Sequence, residues 1–431
     1  MQSKLALSLS TILLLSASSL HAIKFETLGY KSISMGGAAV ASSAGSIATY
    51  NNPALLAKTP YSVEVSLGGG VSEYDHGALA SITKLDDSGF IDTLDKASQD
   101  VTTLTTADQQ NLIDGTAIII DMDGNAVTVT PQGYLAAQVS GFGFGVFAGS
   151  DSAATAIVDQ AHDQLYFVNN IAGVDTYVDI NGNLISQTDY EAQSIEYAIN
   201  NNLTYLDVTG AALAEVPIAY GHNFETTLGN IMVGGALKYM QAITYTEKLK
   251  IDNSGNLGGT DGEKKDQTSS NFGVDLGLAY QPAFSYDLTF GLVAKNLNAP
   301  KFDFADGTNY TIDPMVRAGV AYNILDSLEV AADIDLTSNK VLTDGLESQM
   351  VGGGLNYEPF TDFFALSLRA GLMQNLHSGD KAGLIYTAGM GIGVKWLQID
   401  LSGQMSGNSN TLEDVTVPQY AKVNLALISR W

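Results

Sequence analysis

Residues 397–405, LQIDLSGQM, set Leu397, Ile399, Leu401 and Met405 on one side of an extended chain and Gln398, Asp400, Ser402 and Gln404 on the other. Successive side chains of a strand point to opposite faces, so one face of this stretch suits lipid and the other water. The pattern recurs upstream. Residues 328–337, LEVAADIDLT, oppose Leu328, Val330, Ile334 and Leu336 to Glu329, Asp333 and Asp335, and residues 272–280 oppose Phe272, Val274, Leu276, Leu278 and Tyr280 to Asp275. From Pro60 to the end the chain is built of such segments of roughly ten residues, separated by turn residues.

A soluble β-sandwich has the same period, because one face of each of its sheets is also buried. The connections separate the two. Strands over 61–84, 126–140, 143–157, 208–222, 229–250, 269–282, 287–298, 313–324, 327–338, 347–358, 363–374, 383–395, 397–406 and 419–431 leave short links at 141–142, 223–228, 283–286, 325–326, 359–362 and 396. The alternate links, 85–125, 158–207, 251–268, 299–312, 339–346, 375–382 and 407–418, are long. Tight turns alternating with long loops predict an all-β fold, a transmembrane antiparallel β-barrel of about 14 strands with loops 85–125 and 158–207 outside. The length of the first strand calls for a bend at Gly68, Gly69 and Gly70, or for two strands there. The chain ends YAKVNLALISRW, with Val423, Leu425 and Leu427 on the face of Trp431, an arrangement similar to the assembly signal of bacterial outer-membrane proteins.

Ahead of the barrel, residues 29–56 read GYKSISMGGAAVASSAGSIATYNNPALL. Nearly uncharged and rich in Gly, Ala and Ser, this segment packs closely in a confined space but cannot form a core of its own. Asn52 and Pro53 are suited to start a helical turn over 54–57, one as a side-chain cap and the other by its fixed φ. Residues 23–60 are therefore expected to be a hatch inside the lumen, with Met35, Gly36, Gly37, Asn52 and Pro53 as its marks. The alternative is a mobile leader to the first strand. Residues 1–22, with Lys4, an apolar run and SASSLHA, read as a secretory signal.

No segment of the chain carries the 18 or so consecutive apolar residues of a membrane helix. A net charge of −26 argues against nucleic acid as a partner. The absence of cysteine removes disulfides and thiol chemistry. The sequence gives no cofactor site. The acidic tips at 121–125, 179–183 and 252–256 have the Asn/Asp-Gly pairs of hairpins but lack the later ligands of a calcium loop. Residues 105–113 and 190–200 have the pattern of short helices that could cover the outer mouth. Of the histidines, only His76 beside Asp75 resembles a catalytic pair, and an enzyme is not expected. Arg317, Asp333, Asp335, Arg369 and Asp400 lie on the polar parity of their strands, since a charge facing lipid would cost up to roughly 2–4 kcal/mol at the midplane. They are expected to pair across the lumen or with the hatch.

The segments MGGAAVA and NPALL resemble the hatch of FadL-like outer-membrane barrels. The runs GVDLGLAYQP, FGLVAKNLNAPKFDF, DPMVRAGVAYNIL, VAADIDLTSNKVL, SQMVGGGLNYEP and LRAGLMQNL resemble the TraF-type family of plasmid-transfer operons, a branch of those barrels. The likeness is weakest over 85–210. It implies a hatched barrel in the outer membrane of a Gram-negative bacterium and, loosely, a part in conjugation or secretion. A thioredoxin-like conjugation protein shares the name, but a chain without cysteine does not inherit thiol-disulfide exchange. FadL relatives admit hydrophobic compounds through a site inside the barrel and a side opening at a strand kink. Gly68–70 or Gly352–354 are candidates for that kink, unless they only make room for neighbours. Two roles follow: a non-enzymatic envelope component with protein partners, or a channel for a hydrophobic small molecule bound first near Leu165, Tyr166, Phe167 and Val168. Both place the barrel wall against outer-membrane lipid, and a soluble periplasmic β-protein is the remaining alternative.

Overall fold

The computed structural model describes residues 27–58, 61–171, 173–251, 257–259, 265–304, 307, 309–340, 347–359, 364–377, 382–412 and 415–431. The signal segment, residues 23–26 and the acidic tip at 252–256 lie outside the described residues. Fourteen strands follow one another: β1 (Val63–Asp75), β2 (Ala126–Val139), β3 (Phe142–Ile157), β4 (Tyr205–Thr226), β5 (Gly229–Ile251), β6 (Lys265–Pro282) and β7 (Leu288–Lys295). After them come β8 (Met315–Leu325), β9 (Leu328–Asp335), β10 (Met350–Tyr357), β11 (Phe364–Asn375), β12 (Leu384–Val394), β13 (Leu397–Ser406) and β14 (Tyr420–Arg430). Each pairs antiparallel with the next, and β14 returns to β1 from Glu64↔Arg430 to Tyr74↔Tyr420. The sheet is a closed transmembrane barrel and so leaves no edge.

Every strand bares large apolar side chains on its outer face, among them Leu67, Leu135, Ile218, Leu276, Leu401 and Leu425. The intervening residues turn inward and are buried, as in Gln398, Asp400, Ser402 and Gln404 of β13. Trp396 and Trp431 stand exposed at the rim of tight turns, where an amphipathic ring fits a membrane interface. The Trp431 backbone also closes the seam, donating to Val63 O at 2.9 Å and accepting from Ser62 and Val63.

The first strand departs from expectation. It ends at Asp75, and its pairing with β2 and β14 runs unbroken through Gly68, Gly69 and Gly70, so it is a single strand without a kink there. Beyond it Gly77, at φ +106°, turns the chain into a helix that begins at Ala78, and the Asp75 carboxylate accepts the Gly77 and Leu79 N–H groups at 2.9 and 3.0 Å. The ladder is interrupted elsewhere. Between β3 and β4 the pairs stop at Phe144↔Ile218 and resume at Phe147↔Glu215, around Pro217, which has no N–H to give. Between β2 and β3 the gap falls at Pro131.

Two helices of the N-terminal segment, α1 (Tyr30–Ser34) and α2 (Ala48–Asn51), lie within the barrel. Five more rise at the rim of long loops: α3 (Ala78–Asp87), α4 (Phe90–Gln99), α5 (Thr106–Asp121), α6 (Gln187–Gln193) and α7 (Ile195–Asn200). α3, α4, α5 and α7 share one apolar core, including Leu79, Phe90, Leu112 and Ile195, with Phe167 of the loop and with Val127, Val129, Leu206, Val208 and Tyr245 at the upper ends of β2, β4 and β5. Helices were expected over 105–113 and 190–200. The first begins with a capping box of Thr105 and Asp108 and continues to Asp121, so TAIII is helical. Residues 121–125 therefore join a helix to β2 and are not a hairpin tip. The tip at 179–183 is one, with Asp179 N–H bonded to Asn183 O at 2.9 Å.

Candidate functional site: the hatch and the wall around it

Residues 27–58 lie inside the lumen, packed against the wall. All are buried except Lys31, Ala44, Ala57 and Lys58, which are half-buried. The segment is α1, a turn through Gly36 and Gly37, a 3₁₀ turn at Gly45–Ile47, α2, and a 3₁₀ turn at Pro53–Lys58. Ser32 and Ser34 donate back to Leu28 O and Tyr30 O at 2.6 and 2.8 Å, which satisfies the hydroxyls within α1 itself. Asn52 caps the last turn as its position predicts: Oδ1 accepts the Ala54 N–H at 3.1 Å and Nδ2 donates to Val40 O at 2.7 Å.

Small residues make the fit possible on both sides. Gly36, at φ +65°, approaches the wall so closely that a Cβ would stand 2.3 Å from Leu372 O. The wall answers with glycine. A Cβ on Gly352 would meet Gly36 O at 2.1 Å, one on Gly354 the Met35 backbone at 2.7 Å, one on Gly234 the Pro53 carbonyl carbon at 2.3 Å, and one on Gly291 Val40 O at 2.3 Å. Gly352, Gly353 and Gly354 therefore make no side opening: the ladders of β10 with β9 and β11 run through them without a break. Gly352 and Gly354 clear space for the backbone of the hatch, Gly353 lies against Ala331 and Ala332 of β9, and Gly68 clears space for the Tyr134 ring.

Polar side chains of the wall then hold the segment in register. Asp333 Oδ2 accepts the Ala39 and Val40 N–H groups at 2.8 and 2.9 Å. Thr387 Oγ1 accepts the Gly36 N–H at 2.9 Å and donates to Ser34 O at 3.0 Å, and Gln404 donates to Ile33 O at 2.9 Å. Lys422 reaches Thr27 O at 3.1 Å, and Lys31 of the hatch pairs with Glu329 at 3.0 Å. Glu64 accepts from both the N–H and the hydroxyl of Ser46 at 2.8 Å and pairs with Arg430 at 3.0 Å, while Arg430 donates to the Tyr30 hydroxyl at 2.6 Å. A hydrogen bond with one charged partner is about twice as strong as a neutral one, so these contacts fix position as well as balance charge.

Of the charges predicted from parity, Asp333 bonds the hatch backbone. Arg317 and Asp335 pair with each other at 2.6 Å on adjacent strands rather than across the lumen. Arg369 pairs with Asp400 at 2.6 Å, donates to Asn356 at 2.9 Å and lies 5.1 Å from the Tyr30 ring, a cation–π contact with the hatch. Glu329 lies on the polar parity read from sequence; Glu64, Lys422 and Arg430 were not singled out there, nor was Lys238, which is buried between Glu215 and Asp275 at 3.0 and 3.1 Å. The parity rule, applied to β1, β5 and β14 as it was to β8 and β13, would have found them.

Three other candidates take different places. Asp75 Oδ1 holds the start of α3, and Oδ2 accepts from Asn410 at 2.6 Å. Phe167, expected on a solute-binding loop surface, is fully buried in the helical cap. Asp179 turns its oxygens on its own loop, accepting from the Asn181 and Asn183 N–H groups at 2.9 and 2.8 Å.

A closed 14-strand barrel with an apolar belt and an inner hatch defines an outer-membrane-type β-barrel. The chain belongs to the family described as "F plasmid transfer operon, TraF, protein", whose model matches residues 49–335. The match includes the stretch 85–210, where the likeness of motifs is weakest. No curated protein sequence matches the chain. Among solved structures, the TodX monoaromatic hydrocarbon channel deltaS2 mutant is 13% identical, with a TM-score of 0.50 over 95% of this chain and 100% of that one. The deltaS2S3 mutant of the same channel is 13% identical, with a TM-score of 0.50 over 94% and 99%. A Pseudomonas aeruginosa FadL homologue is 13% identical, with a TM-score of 0.46 over 95% and 99%. At such identity the likeness is one of fold.

Proposed function

We propose that this protein is a non-enzymatic outer-membrane component of a Gram-negative envelope transfer or secretion system, a barrel kept shut by its own hatch. On this reading the tight-turn rim faces the periplasm and the helical cap faces outward. The observation behind it is the content of the lumen. At the level of the hatch it holds paired charges and backbone-to-carboxylate bonds, led by Asp333 on Ala39 and Val40, where a hydrophobic passage would need apolar free space. Wall lipid and envelope proteins are the partners this role requires. Crosslinking intact envelopes and purifying the barrel tests it: recovery of a defined set of envelope proteins is expected, and recovery of lipid alone would count against it.

A second reading, passive uptake of a hydrophobic compound, draws support from the ladder gap between β3 and β4 at Pro217. Deleting residues 23–58 should then change uptake of a labelled hydrophobic compound by cells. Unchanged uptake would leave only the first reading.

A further inference from the structure

The lumen is also occupied from the side of the long loops. The link between β7 and β8 folds inward as a small hairpin, Lys301–Asp303 paired with Asn309–Thr311. Its polar edge hangs from the upper ends of β5 and β6: Asn271 donates to Lys301 O at 3.0 Å, Ser269 Oγ accepts the Asp303 N–H at 3.1 Å, and Thr244 donates to Asp303 O at 3.4 Å. Its apolar side chains point down. Phe302 and Ile312 are buried in a cluster with Leu213, Met240, Val293 and Met315 of the wall, and the hatch residue of that cluster is Val40.

Val40 is also where the hatch is fastened. Its N–H goes to Asp333, its carbonyl accepts from Asn52, and its side chain is fully buried. We propose that this hairpin is a second stopper in series with the hatch, coupled to it through Val40, so that displacing the loop from outside loosens the Asp333 latch. The proposal rests on the N-terminal segment acting as a hatch but not on any partner. A side chain packed in such a cluster restricts the backbone that carries it. Losing the Phe302 ring opens a cavity in the cluster that holds Val40, and the amides bonded to Asp333 then open more often.

Hydrogen exchange on the folded full-length chain in detergent tests this, reading Ala39 and Val40 against Ser46, whose amide is held by Glu64. Phe302→Ala is expected to speed exchange at Ala39 and Val40 by about tenfold or more while Ser46 keeps its rate. Phe302→Leu should have a smaller effect in the same direction, and it carries the test if the alanine variant does not fold. Ile385→Ala, in a separate luminal cluster, should change neither. Unchanged exchange at Ala39 and Val40 in both Phe302 variants, or equal acceleration at Ser46, overturns the coupling. Because no partner enters the measurement, its failure is distinct from a failed envelope crosslink.

Discussion

A single carboxylate oxygen, Oδ2 of Asp333, holds two successive amides of a segment nearly three hundred positions away in sequence. Replacing Asp333 by Ala removes both charge-assisted bonds, at a cost on the order of 2–4 kcal/mol. The cysteine-free chain offers a clean probe: Ser34→Cys, buried beside Thr387, should react slowly with a membrane-impermeant maleimide, and much faster in the Asp333→Ala background. In the helical cap, Glu196 is buried and accepts the Val168 N–H and the Tyr190 hydroxyl, each at 3.0 Å. Burial outweighs those bonds and holds its carboxyl above the ordinary range. With the folded value raised, its contribution to stability is fully present below the unfolded carboxylate range and is lost as pH rises through the folded value. Glu196→Gln should therefore make the cap more resistant to proteolysis at neutral pH and flatten the difference between pH 5 and pH 7.5, measured by limited digestion of the folded barrel.

Among the elements, the hatch is the one whose place rests on what the wall lacks. Its turns have few side chains large enough to pack, so the backbone itself comes into contact, and the wall must be glycine wherever it does. Gly234→Ala puts a methyl 2.3 Å from the Pro53 carbonyl carbon, while Gly403→Ala meets Lys422 O at 3.3 Å, away from the hatch. The first should release the Pro53–Lys58 turn to added protease and the second should leave it protected. Glycine in a strand suggested a bend in sequence, and at Gly352 it serves instead as a seat. Sequence alone does not separate the two, because the reason for the glycine lies on another segment. The interruptions that do occur, at Pro131 and Pro217, follow from a missing donor.

For the molecule as a whole, closure rests on the ladder of β14 with β1, which the Trp431 backbone extends to Ser62 and Val63. Deleting Trp431 removes its backbone bonds to Ser62 and Val63 and its ring from the tight-turn rim. Most of the chain should then stay unfolded in envelopes, shown by loss of the fast-migrating band on unheated gels, whereas Trp431→Phe should keep it. The strand count, the alternation of turns and loops and the inward parity of Asp333, Arg369 and Asp400 were all legible in the sequence. Each is a local consequence of a two-residue side-chain period and of the refusal of lipid to accept charge. The tertiary structure alone decided which charge grips the hatch, that Arg317 is held by a neighbouring strand, that 106–121 is one helix of a shared cap, and that a loop descends onto Val40. Those facts depend on distances between segments far apart in the chain, and only the closed wall brings those segments together.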